Sequence, residues 1–166
     1  MPIKTIVVNA SPLISLFRAG LDFILPAIAN EILVPDPVWR EITDTVHQDE
    51  ASVGLSKALW ATRLAIETIK PIVSAWDLGS GEESVINHVY NHQEYHAVLD
   101  DAQARRCAYS LDLSVIGTGG ILLIAKKKQV IPSIKQGLSS LKNAGLFIAP
   151  VLEQRLLDIA GEKKDI

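Results

Sequence analysis

The chain has 166 residues, 48% of them apolar and 21% charged, with a formal net charge of −3. That balance describes a folded domain and not a disordered tail. The slight acidity excludes a protein that coats nucleic acid by charge alone, though not one whose acids hold metal ions. Cys107 is the single cysteine, so no internal disulfide can form and nothing argues for an oxidising compartment.

One domain spanning residues 1–166 is expected at this length. No stretch approaches the roughly 18 apolar residues needed to cross a bilayer. The opening run IKTIVVNASPLISLF makes a poor signal peptide, because Lys4 is its one basic residue and Asn9, Ser11 and Pro12 interrupt its apolar stretch. A cytoplasmic protein with no membrane partner is expected.

In chain order, Lys4–Val8 is a β-branched strand with Asn9 at its end. Ser11 stands at an N-cap position and Pro12 at a first helical position. Asn9 is thus placed at a carboxyl strand end, where an asparagine commonly holds the turn by a side-chain hydrogen bond. A helix is expected from Gly20 to about Asn30, kinked or broken at Pro26. Ile32–Val34 is a candidate second strand. Pro35-Asp36-Pro37 then opens a helix with Asp36 as cap, and Val38, Ile42 and Thr45 share a face on which Glu41 also lies. Residues 51–65 read as one helix, followed by an apolar segment up to Val73. Trp39, Trp60 and Trp76 suit core or interface positions.

The stretch Leu78–Arg106 is the most informative. Ser80 and Glu83 have capping-box spacing. Glu82 instead falls near the centre of the apolar stripe Val85, Ile86, Val89 and Tyr90. A carboxylate aimed at a core is costly unless a cation, donor or metal compensates it; a first-turn acid that bends out to water is the plain alternative. Ala97–Leu99 reads as a buried parallel strand. Asp100 can cap the next helix with Gln103 as box partner, and Asp101 stands four residues before Arg105, the spacing of a surface ion pair. Acids at the carboxyl end of a parallel strand also line the crevice where open α/β sheets bind ligands. His88, His92 and His96 recur every four residues; their position on the flank of the stripe favours a solvated face over a metal site.

Leu113–Ile116 is a further strand, and Gly117-Thr118-Gly119-Gly120 turns into the helix ILLIAKKK. This is no phosphate-binding P-loop, because the spacing differs and no Lys-Ser/Thr pair follows the glycines. Lys126–Lys128 suit the negative pole of the helix they close, with a phosphate patch as the alternative. A helix over Pro132–Asn143, a strand over Leu146–Ala149 and a helix over Val151–Ala160 complete the chain. None of the serines stands in a nucleophile elbow. The recurring strand-then-helix units point to an α/β fold.

Taken together and in order, VVNASPLISL, PVWRE ending at Glu41, LGSGEESVI, AVLDDAQARRCA and VIGTGGILLIAKKKQVI resemble the PIN domain superfamily, and more closely its prokaryotic PIN-like branch. The resemblance covers essentially the whole chain. It implies a three-layer α/β/α sandwich with a central, mostly parallel sheet, and a ribonuclease using Mg²⁺ or Mn²⁺, of the type found as toxins in toxin–antitoxin pairs. By position, the family's acidic sites fall on Asn9, Glu41, Glu82 and Asp101, with Asp100 beside the last. These five are the implied metal ligands, and Glu41, Glu82 and Asp101 the implied catalytic set. Ser11, Arg105, Arg106, Thr118 and Lys126 are the implied contacts to RNA. An antitoxin protein and a homodimer are further partners that the resemblance allows. Asn9 departs from the pattern, since it replaces an aspartate. Its amide oxygen can ligate Mg²⁺ but brings no charge, so weaker metal binding is expected. Besides the ribonuclease, two classes stay open: a PIN-like module that binds nucleic acid or a protein without cutting, and a nucleotide- or phosphate-binding α/β domain of unrelated chemistry.

Overall fold

Consecutive residues of the first strand, Ile6, Val7 and Val8, are all fully buried, so both of its faces are covered. That is the signature of a parallel sheet between two helical layers. The computed structural model describes residues 3–163. In chain order these form β1 (Ile3–Val8), α1 (Ala10–Arg18), α2 (Ile24–Ile28), β2 (Ala29–Pro35), α3 (Asp36–Thr43), α4 (Glu50–Lys57), β3 (Ala61–Leu64), α5 (Pro71–Ser74), α6 (Ser80–Asn91), β4 (His96–Val98), α7 (Ala102–Ser110), β5 (Val115–Ile116), α8 (Thr118–Lys127), α9 (Ile134–Asn143) and α10 (Pro150–Ala160). The strands make one five-stranded sheet in the order β3-β2-β1-β4-β5, parallel throughout. Helices flank it, giving an α/β sandwich.

The order of the strands fixes where a site can be. From β1 the chain builds outward through β2 to β3, then returns to lay β4 on the other side of β1. Connections leave β1 and β4 in opposite directions, which opens a crevice at their carboxyl ends. The Asn9 N–H donates to Val98 O at 3.1 Å, tying the two strand ends together there.

Several elements differ from their sequence expectation. The helix expected over Gly20–Asn30 shrinks to the five residues of α2, because Ala29 already pairs with Ile3 in the sheet. The helix expected over 51–65 stops at Lys57, and Ala61–Leu64 instead pairs with Ile32–Pro35 as an edge strand. Its polar Thr62 and Arg63 suit an edge open to solvent. No strand forms at Leu146–Ala149, which runs without a ladder partner beside the sheet. Thr45 lies beyond α3, outside the face it was expected to share. Helix starts also shift: Asn9, Pro35, Gly79 and Asp101 hold the N-cap positions expected of Ser11, Asp36, Ser80 and Asp100.

Two tight places hold the helical layers. Phe17 of α1 stacks on Trp60, with ring centroids 5.9 Å apart, and Gly54 of α4 lies under the Phe17 ring. A Cβ at Gly54 would fall 2.5 Å from Phe17 Cδ1. Gly54→Ala is therefore expected to destabilise the fold by about 1–3 kcal/mol through overpacking, read as a lower urea midpoint with unchanged slope.

At the other end of the chain, Glu162 accepts from Lys126 Nζ at 2.7 Å, Ser133 Oγ at 2.7 Å, Ile134 N at 2.9 Å and Lys135 N at 3.1 Å. Burial alone would push this carboxyl up; the ammonium and the N–H donors at the start of α9 outweigh it and hold Glu162 at about 2. A carboxyl depressed on folding stabilises fully above its unfolded value of roughly 4.3 and loses that contribution as pH falls through the folded one. Glu162→Gln is expected to cost about 2 kcal/mol at neutral pH and to flatten the acid limb of the stability profile between roughly pH 5 and 2, measured by urea denaturation at a series of pH values.

Candidate functional site

The crevice at the carboxyl ends of β1 and β4 holds a cleft of 320 Å³ lined by Asn9, Ala10, Ser11, Glu41, Gly79, Ser80, Gly81 and Glu82. Asn9 sits where β1 passes into α1. Its residue is 5% exposed, and its side chain makes no hydrogen bond to the helix it caps. Glu41 comes from α3, exposed at the cleft mouth while its neighbours Val38 and Ile42 are buried. Glu82 comes from the first turn of α6.

Gly81 sets the spacing of these groups. A Cβ at Gly81 would stand 3.3 Å from Asn9 Oδ1, 3.3 Å from Glu41 Oε2 and 3.2 Å from Val38 Cγ2. The missing side chain lets α6 close on α3 and leaves the amide oxygen and the carboxylate facing one small space. Sequence reasoning did not single out Gly81; the signal available was the Gly-Ser-Gly run before Glu82. The expected capping box is absent: Gly79 caps α6, Ser80 is its first residue, and Glu83 N–H bonds to Gly79 O at 2.9 Å.

Asp101 is exposed and does not line the cleft, but its charge reaches Glu82. Burial raises the Glu82 carboxyl above its ordinary range, and the negative charges of Asp101 and Glu41 raise it further, against a backbone hydrogen bond from Gly79. Asp101 caps α7 with Oδ2 accepting from Ala104 N at 2.9 Å. Among the described residues, no ion pair neutralises Glu41, Glu82 or Asp101. The expected Asp101–Arg105 pair is not formed, because Arg105 turns to Leu99 O (2.9 Å) and to the Tyr109 hydroxyl (2.8 Å).

The other candidates divide. Asp100 accepts from Thr118 N at 2.8 Å and Thr118 Oγ1 at 2.5 Å, so both of its oxygens tie the end of β4 to the start of α8. Thr118 is 1% exposed and acts as that tether. Ser11 lines the cleft. Arg106 is exposed on α7, outside the cleft lining. Lys126 stands at the far end of α8, bonded to Ala160 O and Glu162. A hollow of 360 Å³ beside it, between α8 and α10, carries no acid in its lining.

The solvated face expected of the histidines fails at His88, while the His92 side chain is 39% exposed. His88 is 3% exposed, with Nδ1 3.3 Å from Glu67 Oε1, and His92 Nε2 lies 3.1 Å from the same oxygen. They clamp the segment after β3 onto α6. Burial lowers the His88 pKa, with Glu67 pulling the other way.

A hard divalent cation suits the donor chemistry of the cleft, where an amide oxygen and carboxylates carry negative charge without a compensating cation. Among the described residues, no three His, Cys, Asp or Glu side chains already surround a common point. An ion would have to draw Glu41, Glu82 and Asp101 inward.

No protein of curated function matches the chain. Among solved structures, that of the PIN domain endonuclease Utp24 is similar, with a TM-score of 0.52 and 13% identity over 70% of this chain and 86% of that one. At that identity the likeness is one of fold. The model of the PIN-domain family DUF3368 matches residues 5–162. Nearly the full length is covered, and the chain belongs to the PIN domain family.

Proposed function

We propose that the protein is a divalent-metal-dependent nuclease that hydrolyses RNA phosphodiesters. The observation that carries this reading is the meeting of Asn9 Oδ1 and Glu41 Oε2 over Gly81, in a cleft whose far wall is Glu82. RNA as substrate follows the family likeness and the prokaryotic branch that the motifs resemble, and so does the toxin role with an antitoxin-like protein partner.

The residues divide the work. Glu41, Glu82 and Asp101 would hold Mg²⁺ or Mn²⁺, with the Asn9 amide oxygen as a neutral ligand. A bound ion supplies a water of lowered pKa and stabilises the leaving oxygen. Asp100, held by Thr118, keeps the end of β4 in place and so aims Asp101. Gly79 N–H and burial hold Glu82 against the cleft wall. Ser11, on the same wall as Asn9, is placed to donate to a substrate phosphate.

Asn9 favours a second reading, in which the neutral amide weakens metal binding so far that the chain binds RNA or a protein without cutting. Two experiments decide. With Mn²⁺ present, Glu82→Gln and Asp101→Asn are expected to slow cleavage of a labelled RNA roughly 100-fold or more; unchanged rates in both would place the activity in another site or another protein. Asn9→Asp is expected to tighten Mn²⁺ binding about tenfold in calorimetry, because each added carboxylate raises the charge facing the ion. Unchanged or weaker binding would remove Asn9 from the ligand set.

A further inference from the structure

Phe147 is 84% exposed, the most exposed of the large apolar side chains once those in the loops at Val46 and Leu59 are set aside. It sits in Leu146–Ala149, the segment without a ladder partner that connects α9 to α10. The segment lies along the candidate site. On one side, Leu146 shares a depression of 270 Å³ with Ser11, Arg18 and Glu41. On the other, Leu146 and Phe147 line a smaller one with Asp100 and Thr118. The first of these shares Ser11 and Glu41 with the acid cleft. Three adjoining depressions therefore run along the carboxyl edge of the sheet, with the Phe147 ring at the outer end.

Charge follows the same path. The Arg105 guanidinium lies beside Asp100: a Cβ at Gly117 would fall 2.8 Å from Arg105 Nη1 and 3.3 Å from Asp100 Oδ1. Arg18, 45% exposed and paired with Asp49 at 3.0 Å, lines the middle depression. A cation on the middle depression, a second beside Asp100 and an exposed aromatic ring at the outer end suit an RNA strand, whose phosphates meet the cations and whose unpaired base stacks on the ring. A paired base has no free face to offer.

We propose that Phe147 is a stacking platform for one unpaired nucleobase of an RNA strand lying along this groove. The proposal rests on RNA being the substrate class. Its exposed position makes substitution at Phe147 compatible with folding.

The test measures binding without cleavage. Anisotropy of a fluorescein-labelled oligoribonucleotide, single-stranded or annealed to its complement, is followed in EDTA with the full chain and with Phe147→Ala, Phe147→Leu and Phe147→Tyr. Phe147→Ala and Phe147→Leu are expected to weaken single-strand binding roughly tenfold, Phe147→Tyr to retain it, and duplex binding to stay unchanged. Equal affinities for wild type and Phe147→Ala, or retention by Phe147→Leu, would overturn the platform. So would a drop in sedimentation mass of the RNA-free chain on Phe147→Ala with RNA affinity intact, which would assign the ring to a protein interface. Wild-type cleavage with Mn²⁺ is scored separately. An inactive enzyme showing the expected binding pattern sinks the nuclease reading and leaves the platform; an active one with flat affinities does the reverse.

Discussion

Like charges held close together without a counter-ion dominate this molecule. Glu41 comes from α3, Glu82 from α6 and Asp101 from the turn that caps α7, and the two neighbours raise the Glu82 carboxyl on top of its own burial. A folded chain gains nothing from such an arrangement, since like charges in a partly buried place repel and resist desolvation. Elsewhere on the same molecule several acids are neutralised locally: Asp36 by Arg40 and Arg63, Asp49 by Arg18, Glu162 by Lys126, Glu153 by Lys142. What sets the candidate site apart is that acids from separate elements lie near enough to raise the carboxyl of Glu82.

The rest of the fold can be understood as what holds that arrangement in place. The winding of the parallel sheet reverses between β1 and β4 and so presents two loops at one edge. The Asn9–Val98 hydrogen bond joins those loops. Asp100 spends both oxygens on Thr118, which anchors the loop carrying Asp101 to the start of α8. Gly81 removes the one side chain that would separate α6 from Asn9 and Glu41. On the opposite end of α6, Glu67 is gripped by Asn91, His88 and His92, while Asn87 binds Thr68 O and Lys70 N. The helix that bears Glu82 is thereby fixed along its length.

Much of this was legible in the residues. Apolar, β-branched runs followed by capping residues located β1, β4 and the helices after them. Glu82 stood out because its stripe position conflicted with its charge, and the structure places it at the cleft wall. What stayed hidden depended on partners distant in sequence. Residues 61–64 join the sheet because β2 offers an open edge, which no local pattern announces. Phe147 and Ile148 alternate like a strand but find no edge to pair with. His88 looked solvated because Glu67, the partner that buries it, comes from an element whose position could not be foreseen. Asp100 and Asp101 exchanged roles for a similar reason: Thr118, eighteen positions on in the chain from Asp100, takes the first acid and leaves the second to cap α7.

The family likeness and the local chemistry meet in one claim, that residues from β1, α3, α6 and the β4–α7 turn share a hard cation. The most direct test is a crystal of the full chain soaked in Mn²⁺ and examined by anomalous scattering. The account predicts a peak bounded by Glu41, Glu82 and Asp101, with Asn9 Oδ1 within ligand distance. A map with no peak in the cleft at saturating Mn²⁺, or with the ion bound on a different surface, would contradict it.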